Sequence, residues 1–190
     1  MTEKDVIETF ERDSAILKGH FLLTSGRHSD VYFEKFQVLQ HPEDVQALCT
    51  ELAGRFEGEN VDLVIGPTTG GVLIAYEVAK VLGTRFIFAE SEEGKRILKR
   101  GFSIGEGERT LIVDDVLTTG RSIREIIDIV EENKGEIVGI GCLVDRSGGK
   151  VNFGYRLEAL LTVEAISYDP KECPLCREGI DVVKPGSRKL

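Results

Sequence analysis

Five short apolar runs, most of them separated by helical patterns, constrain this chain more than any other feature. They are Asp62-Leu63-Val64-Ile65, Arg85-Phe86-Ile87-Phe88-Ala89, Thr110-Leu111-Ile112-Val113, Ile137-Val138-Gly139-Ile140-Gly141-Cys142-Leu143-Val144 and Leu160-Leu161-Thr162-Val163. Their residues are continuously apolar rather than alternating, so both faces of the resulting strands must be covered. Strands alternating with helices imply right-handed crossovers and a parallel sheet. The expected fold class is therefore α/β, a parallel sheet flanked by helices. In such sheets ligands bind beyond the carboxyl ends of the strands. That rule points to residues 66–71, the loop after Phe88, residues 114–122 and the segment after Val144.

The intervening patterns are equally readable. Thr2 and Asp5 stand at capping-box spacing before a helix that runs to about residue 12. The aromatic-rich stretch 20–36 contains Ser25-Gly26, which predicts short strands and a turn. Pro42 suits the first position of a helix whose apolar stripe is Val45, Leu48, Cys49, Leu52, Ala53 and Phe56, with Gly58 past its end. Residues 72–82 predict a helix closed by Gly83. Ile123, Ile126, Ile127 and Val130 form an amphipathic helix ended by Gly135, and residues 90–109 read as a polar loop.

With 190 residues, one domain spanning 1–190 is expected. Hydrophobic residues make up 41% and charged residues 30%, the balance of an ordered globular chain. Against 33 Asp+Glu stand 24 Lys+Arg, a net charge of −9, which argues against a general nucleic-acid binder but leaves room for a local anion pocket. No run is long and apolar enough to span a membrane, and Met1-Thr2-Glu3-Lys4-Asp5 lacks the apolar core of a signal peptide. A cytoplasmic location and no membrane or nucleic-acid partner are expected.

The chemistry concentrates in Leu111-Ile112-Val113-Asp114-Asp115-Val116-Leu117-Thr118-Thr119-Gly120-Arg121-Ser122. A buried strand delivers two carboxylates, and a short loop then enters a strong helix. Unpaired amides at a helix start bind phosphate. Gly120 permits a backbone nest, and Thr118, Thr119 and Ser122 add hydroxyl donors. Asp114 and Asp115 can accept from sugar hydroxyls and hold a hydrated Mg²⁺ that bridges to the ligand. Amides for phosphate beside carboxylates for hydroxyls make a sugar-phosphate site. No P-loop pattern occurs, and Gly139-Ile140-Gly141 lacks the third glycine of a dinucleotide fingerprint.

This run resembles the phosphoribosyl-pyrophosphate motif of type I phosphoribosyltransferases. Phe21-Leu22-Leu23-Thr24-Ser25-Gly26-Arg27-His28-Ser29 with Tyr32-Phe33 is similar to the N-terminal signature of the orotate phosphoribosyltransferases. Gly66-Pro67 with Gly70-Gly71 resembles that family's pyrophosphate loop, and Val144-Asp145-Arg146 its last ligand-contacting strand end. The resemblance implies a small hood built from N- and C-terminal segments, with residues 1–40 contributing hood and base-site elements. It implies transfer of phosphoribose to orotate, giving orotidine monophosphate and pyrophosphate, with Mg²⁺ held mainly through substrate and water rather than by direct protein ligands. Asp114, Asp115, Val116, Leu117, Thr118, Thr119, Gly120, Arg121 and Ser122 would bind the ribose phosphate, and Gly70, Gly71, Lys95 and Arg96 the pyrophosphate end. Tyr32, Phe33, Thr118 and Arg146 would bind orotate. Catalytic roles fall to Asp115 and Lys95.

The resembled family carries its essential lysine on a lid that reaches the neighbouring subunit of a homodimer. The segment 90–109 has a lid's length and holds Lys95, Arg96, Lys99 and Arg100. It has no histidine, where many members have one. Thr24 stands where members often place a base-contacting lysine, and Thr69-Gly70 where a lysine often meets pyrophosphate. The alternatives are transfer to another base and a non-catalytic sensor of phosphoribosyl pyrophosphate. His20, His28 and His41 are expected to play no catalytic part. Cys173-Pro174-Leu175-Cys176 is read as a tight turn with two thiols; the alternative is half a zinc site completed by a second subunit.

Overall fold

Leu111, Ile112 and Val113 have no exposed surface, as their unbroken apolar pattern requires. The computed structural model, described for residues 1–23, 25–164 and 166–185, places them in the middle of a six-stranded sheet. Its strands are β3 (Leu63–Pro67), β4 (Arg85–Glu92), β5 (Lys95–Leu98), β6 (Arg109–Leu117), β7 (Glu136–Asp145) and β8 (Leu157–Thr162). They lie in the order β5-β4-β3-β6-β7-β8. Helices α1 (Glu3–Arg12), α3 (Pro42–Gly54) and α4 (Gly70–Leu82) cover one face, where Val64, Leu111 and Val113 pack against Leu48, Ile74 and Val78. Helix α5 (Arg121–Glu132) covers the other, where Ile65 and Ile112 meet Ile123, Ile126 and Val130. Thr2 caps α1 in the expected box with Asp5, and Gly83 ends α4 with φ 71°.

The sheet is mixed rather than parallel throughout. β3, β4, β6, β7 and β8 pair in parallel, but β5 returns antiparallel along β4. Residues 90–109, expected to be a polar loop, thus begin as a hairpin. Glu93 and Gly94 take positive φ values of 49° and 83° and form the two-residue turn between the paired Glu92 and Lys95. The charged residues on this hairpin hid its strand from an apolar-run criterion, as edge strands commonly do. β6 also runs four residues past Val113, so the acid pair lies within the strand.

The hood is a second, two-stranded sheet of β1 (Ile16–Leu22) and β2 (His28–Phe33), antiparallel about the Ser25-Gly26 turn. The C-terminal segment joins it through bridges Phe21↔Val183 and His28↔Tyr168 and contains a single helical turn, α6 (Pro174–Arg177). A short helix, α2 (Lys35–Leu39), follows β2 directly. The expectation attached to Thr24 lies outside the described residues.

Candidate active site

From β3 the chain builds the sheet towards β4 and β5 on one side, and from β6 towards β7 and β8 on the other. A crevice opens where that direction reverses. β3 and β6 stay paired only as far as Ile65↔Ile112. Beyond that pair β3 turns into residues 66–71, while β6 continues through Asp114 and Asp115. The two ends close on each other. A methyl group at Gly70 would overlap the Asp115 carboxylate, and one at Gly71 would sit 3.2 Å from Asp114 Oδ1. The Thr68–Thr69 peptide in this turn is cis. Because a methyl group there would meet the Asp115 carboxylate, Gly70→Ala is expected to lower stability by about 1–3 kcal/mol and to displace Asp115. Thermal denaturation and steady-state kinetics measure both, and an alanine variant matching the parent in each would refute this packing.

Asp115 is 2% exposed, and its oxygens lie 2.7 and 2.9 Å from Lys35 Nζ. It also accepts from the Val116 amide at 2.6 Å. Asp114 accepts from the Asp115 amide at 2.8 Å. Burial, and then the neighbouring Asp115 charge, push the Asp114 carboxyl well above its ordinary range. Lys35 was not singled out from sequence. The one available signal was a lysine two positions after the Tyr32-Phe33 pair, in a segment otherwise rich in aromatic and aliphatic residues.

Past Leu117 the backbone swings outward. Thr118 and Thr119 are exposed, and Gly120 adopts φ 76° beneath Phe153 and Val151, where a side chain would collide. No side chain caps α5, so its first amides are free for an anion. Asp114, Val116, Leu117, Thr118, Thr119, Gly120, Arg121, Ser122 and Ile123 line a recess of about 50 Å³ at this point. A larger concavity, about 710 Å³, runs along α3 between Met1 and Arg55 and contains none of these residues.

Across the loop lies the end of β7. The Arg146 amide donates to the Leu117 carbonyl at 2.8 Å, joining that strand end to the start of the 118–122 loop. The Arg146 guanidinium lies 5.1 Å from the centroid of the Phe33 ring. Its Nε is buried without a hydrogen-bond partner, and burial lowers its pKa. Tyr32 is close enough to feel the charges of both Arg146 and Lys35, although burial, the larger influence, raises its phenol pKa. Asp145, 2% exposed, holds the following turn by accepting from the Ser147 and Gly149 amides at 2.7 and 3.1 Å. Tyr32, Phe33 and Arg146, distant in sequence, thus come together.

The β4–β5 hairpin folds over the same crevice. Arg96 Nη1 donates to Thr68 Oγ1 at 2.6 Å, and Arg121 Nη2 donates to the Gly94 carbonyl at 2.8 Å. Lys99 and Arg100 pair with Glu92 and Glu90, whereas Lys95 is exposed at the start of β5. Of these four cations, Arg96 is the one held against the 66–71 turn.

Residues 37–154 match the family model described as a phosphoribosyl transferase domain. The orotate phosphoribosyltransferase of Desulforamulus reducens is 54% identical over 190 residues, covering all of both chains. That of Pelotomaculum thermopropionicum is 53% identical with the same coverage. The chain belongs to the orotate phosphoribosyltransferase family. The crystal structure of the Aeropyrum pernix orotate phosphoribosyltransferase superposes with a TM-score of 0.70 at 28% identity, covering 84% of this chain and 94% of that one. The mixed sheet with flanking helices is of this family's fold, and the crevice between β3 and β6 falls inside the matched domain. Among the described residues, no helix is long and apolar enough to cross a membrane.

Proposed function

We propose that this chain transfers the phosphoribosyl group of 5-phosphoribosyl 1-pyrophosphate to orotate, giving orotidine 5′-monophosphate and pyrophosphate, in the synthesis of pyrimidine nucleotides. The observation that carries the choice of base is Arg146. A half-buried guanidinium whose buried Nε has no partner among the described residues, stacked on Phe33, wants a planar anion. Orotate differs from uracil by a carboxylate. Tyr32 and Phe33 supply the apolar walls, and Thr118 stands at the mouth.

Asp114 and Asp115 accept from the ribose hydroxyls. The amides and hydroxyls of residues 118–122 take the 5′-phosphate, and the 66–71 turn takes the pyrophosphate. Lys35, 2.7 and 2.9 Å from its two oxygens, holds the Asp115 carboxylate in place. Substitution at the anomeric carbon develops oxocarbenium character while charge grows on the leaving group. Positioning and cations therefore supply the catalysis, and no covalent nucleophile is required. The donor set suits a hard cation, because a buried carboxyl pushed up by its charged neighbour gains from one more positive charge nearby. Asp114 and Asp115 would hold Mg²⁺ through water and substrate oxygens, and the bound ion supplies neutralisation of the pyrophosphate charge.

A homodimer with the β4–β5 hairpin as its lid belongs to the same proposal. Phe36 on α2 and Leu73 and Tyr76 on the adjoining α4 are 46%, 43% and 51% exposed, which supports a covering partner there. Lys95 is assigned the lid cation that meets developing charge. Lys95→Ala should then lower kcat about tenfold or more with a smaller change in KM. Retained turnover in that variant, with loss in Arg96→Ala, would move the role to the residue already touching Thr68.

Pyrophosphate release measured with phosphoribosyl pyrophosphate, Mg²⁺ and each of orotate, uracil, adenine, guanine and xanthine tests the assignment. Turnover with orotate alone is expected. Turnover with a purine but not orotate, or binding without turnover, overturns it.

A further inference from the structure

The hood holds a group of side chains for which the transfer reaction has no use. His20, His28, Cys173 and Cys176 converge so that their ligand atoms all lie within 4.8 Å of one another. His20 Nε2 is 2.8 Å from His28 Nδ1, 3.5 Å from Cys173 Sγ and 3.7 Å from Cys176 Sγ, and His28 Nδ1 is 3.3 Å from Cys176 Sγ. Neither histidine is exposed to solvent. His20 and His28 are 2% and 8% exposed, and Cys173 is 1% exposed. The second half of the Cys-x-x-Cys site comes from the same chain, not from another subunit.

We propose that these four residues form a closed tetrahedral zinc site that clamps the C-terminal segment to the β1–β2 hairpin. The spacing fits. With Zn–S near 2.3 Å and Zn–N near 2.0–2.1 Å, the edges of a tetrahedron are about 3.3–3.8 Å. Three of the sulfur–nitrogen distances are 3.3, 3.5 and 3.7 Å, within that range; the 2.8 Å nitrogen pair must widen, and the remaining edges lie within 4.8 Å.

Hydrogen-bond accounting points the same way. His20 Nδ1 lies 2.7 Å from the Ile180 carbonyl, which can only accept, so that nitrogen carries the proton. Nε2 then faces three neighbours at once, and one ring nitrogen makes a good hydrogen bond to only one of them. One cation at the centre satisfies all four groups. The Ile180 contact is the outer-shell bond that a metal-bound imidazole needs to fix its tautomer. Two thiolates select zinc over Mg²⁺.

The site also answers a packing question. Between residues 166 and 185, Cys173 alone is buried. Ile166, Ile180, Val182 and Val183 are 44–54% exposed. Apolar burial therefore does little to hold this segment, yet its backbone is pinned on both sides of the cysteines. Tyr168 exchanges two hydrogen bonds with His28, and the Val183 amide donates to the His20 carbonyl at 2.7 Å. Leu22 pairs with His28, and His20, two residues earlier on β1, lies in the register shift between Lys18 and Phe21, with its Nε2 2.8 Å from His28 Nδ1. A metal whose binding energy is folding energy supplies what the core does not.

The test is metal analysis of the full-length protein purified in reductant, incubated with excess zinc and desalted. About one zinc per chain is expected, and Co²⁺ in its place should show the intense visible bands and thiolate charge-transfer absorption of tetrahedral coordination. Chelation should lower Tm by on the order of 10 °C. Cys176→Ser, made at an exposed position that leaves the core intact, and the double variant with His28→Gln should lose the metal while remaining folded by circular dichroism. Folded protein that takes up less than about a tenth of an equivalent with its thiols reduced, or variants that keep the metal undiminished, overturn the proposal. These readouts stand independently of the base assignment. Because β2 carries His28 at one end and Tyr32 and Phe33 at the other, zinc loss should also raise KM for orotate, a consequence that rests on the proposed function.

Discussion

Asp115→Ala is expected to reduce kcat/KM for phosphoribosyl pyrophosphate by about a hundredfold or more while leaving the chain folded. The magnitude follows from two hydrogen bonds between a carboxylate and ribose hydroxyls, each worth roughly 1.5–3 kcal/mol when one partner is charged. The fold survives because the stranded partner can reach water: the Lys35 side chain is 34% exposed. Asp115→Asn separates the two contributions. It keeps the shape but removes the charge that pairs with Lys35, so it should fall between parent and alanine variant in affinity. Isothermal titration with phosphoribosyl pyrophosphate and Mg²⁺, alongside circular dichroism, measures both. A folded alanine variant with parental affinity would remove Asp115 from the ribose site.

Arg146→Ala should lower kcat/KM for orotate by about 30- to 1000-fold, the loss of a charge-assisted guanidinium–carboxylate pair. KM for phosphoribosyl pyrophosphate should change by less than about threefold, because the ribose and phosphate contacts proposed above lie on β6 and α5. Truncation also removes the stacking on Phe33, so Arg146→Lys is the sharper comparison. An ammonium restores the charge but not the two-pronged geometry, and it should recover only part of the loss. Discrimination between orotate and uracil should collapse in the alanine variant. Unchanged orotate kinetics would show that the unpartnered Nε serves the protein rather than the substrate.

Much of this site was legible in advance because its pieces are local. The acids, the two threonines and Gly120 lie within seven consecutive residues, and a strand running into a helix forces them to one sheet end. The flanking turn 66–71 follows from the same logic one strand away. The hairpin at residues 90–98 was not legible, because its strand is charged and gains its order from pairing with β4 and from Arg96 and Arg121. Lys35 was missed for a related reason: its partner, Asp115, lies 80 residues away and no spacing rule joins them.

The sequence by itself determined the class of sheet, the place of the strand-to-helix loop at residues 114–122 and the family resemblance, since apolar periodicity and short motifs report on contacts made within a few residues. Tertiary structure alone decided that a glycine would lie against Asp115, that Arg146 would stack on Phe33 with one nitrogen unmatched, and that two histidines of the hood would meet two cysteines some 150 residues later. Such meetings depend on strand register and on how the layers pack, and both are set by the summed burial of the whole core rather than by any one stretch of chain.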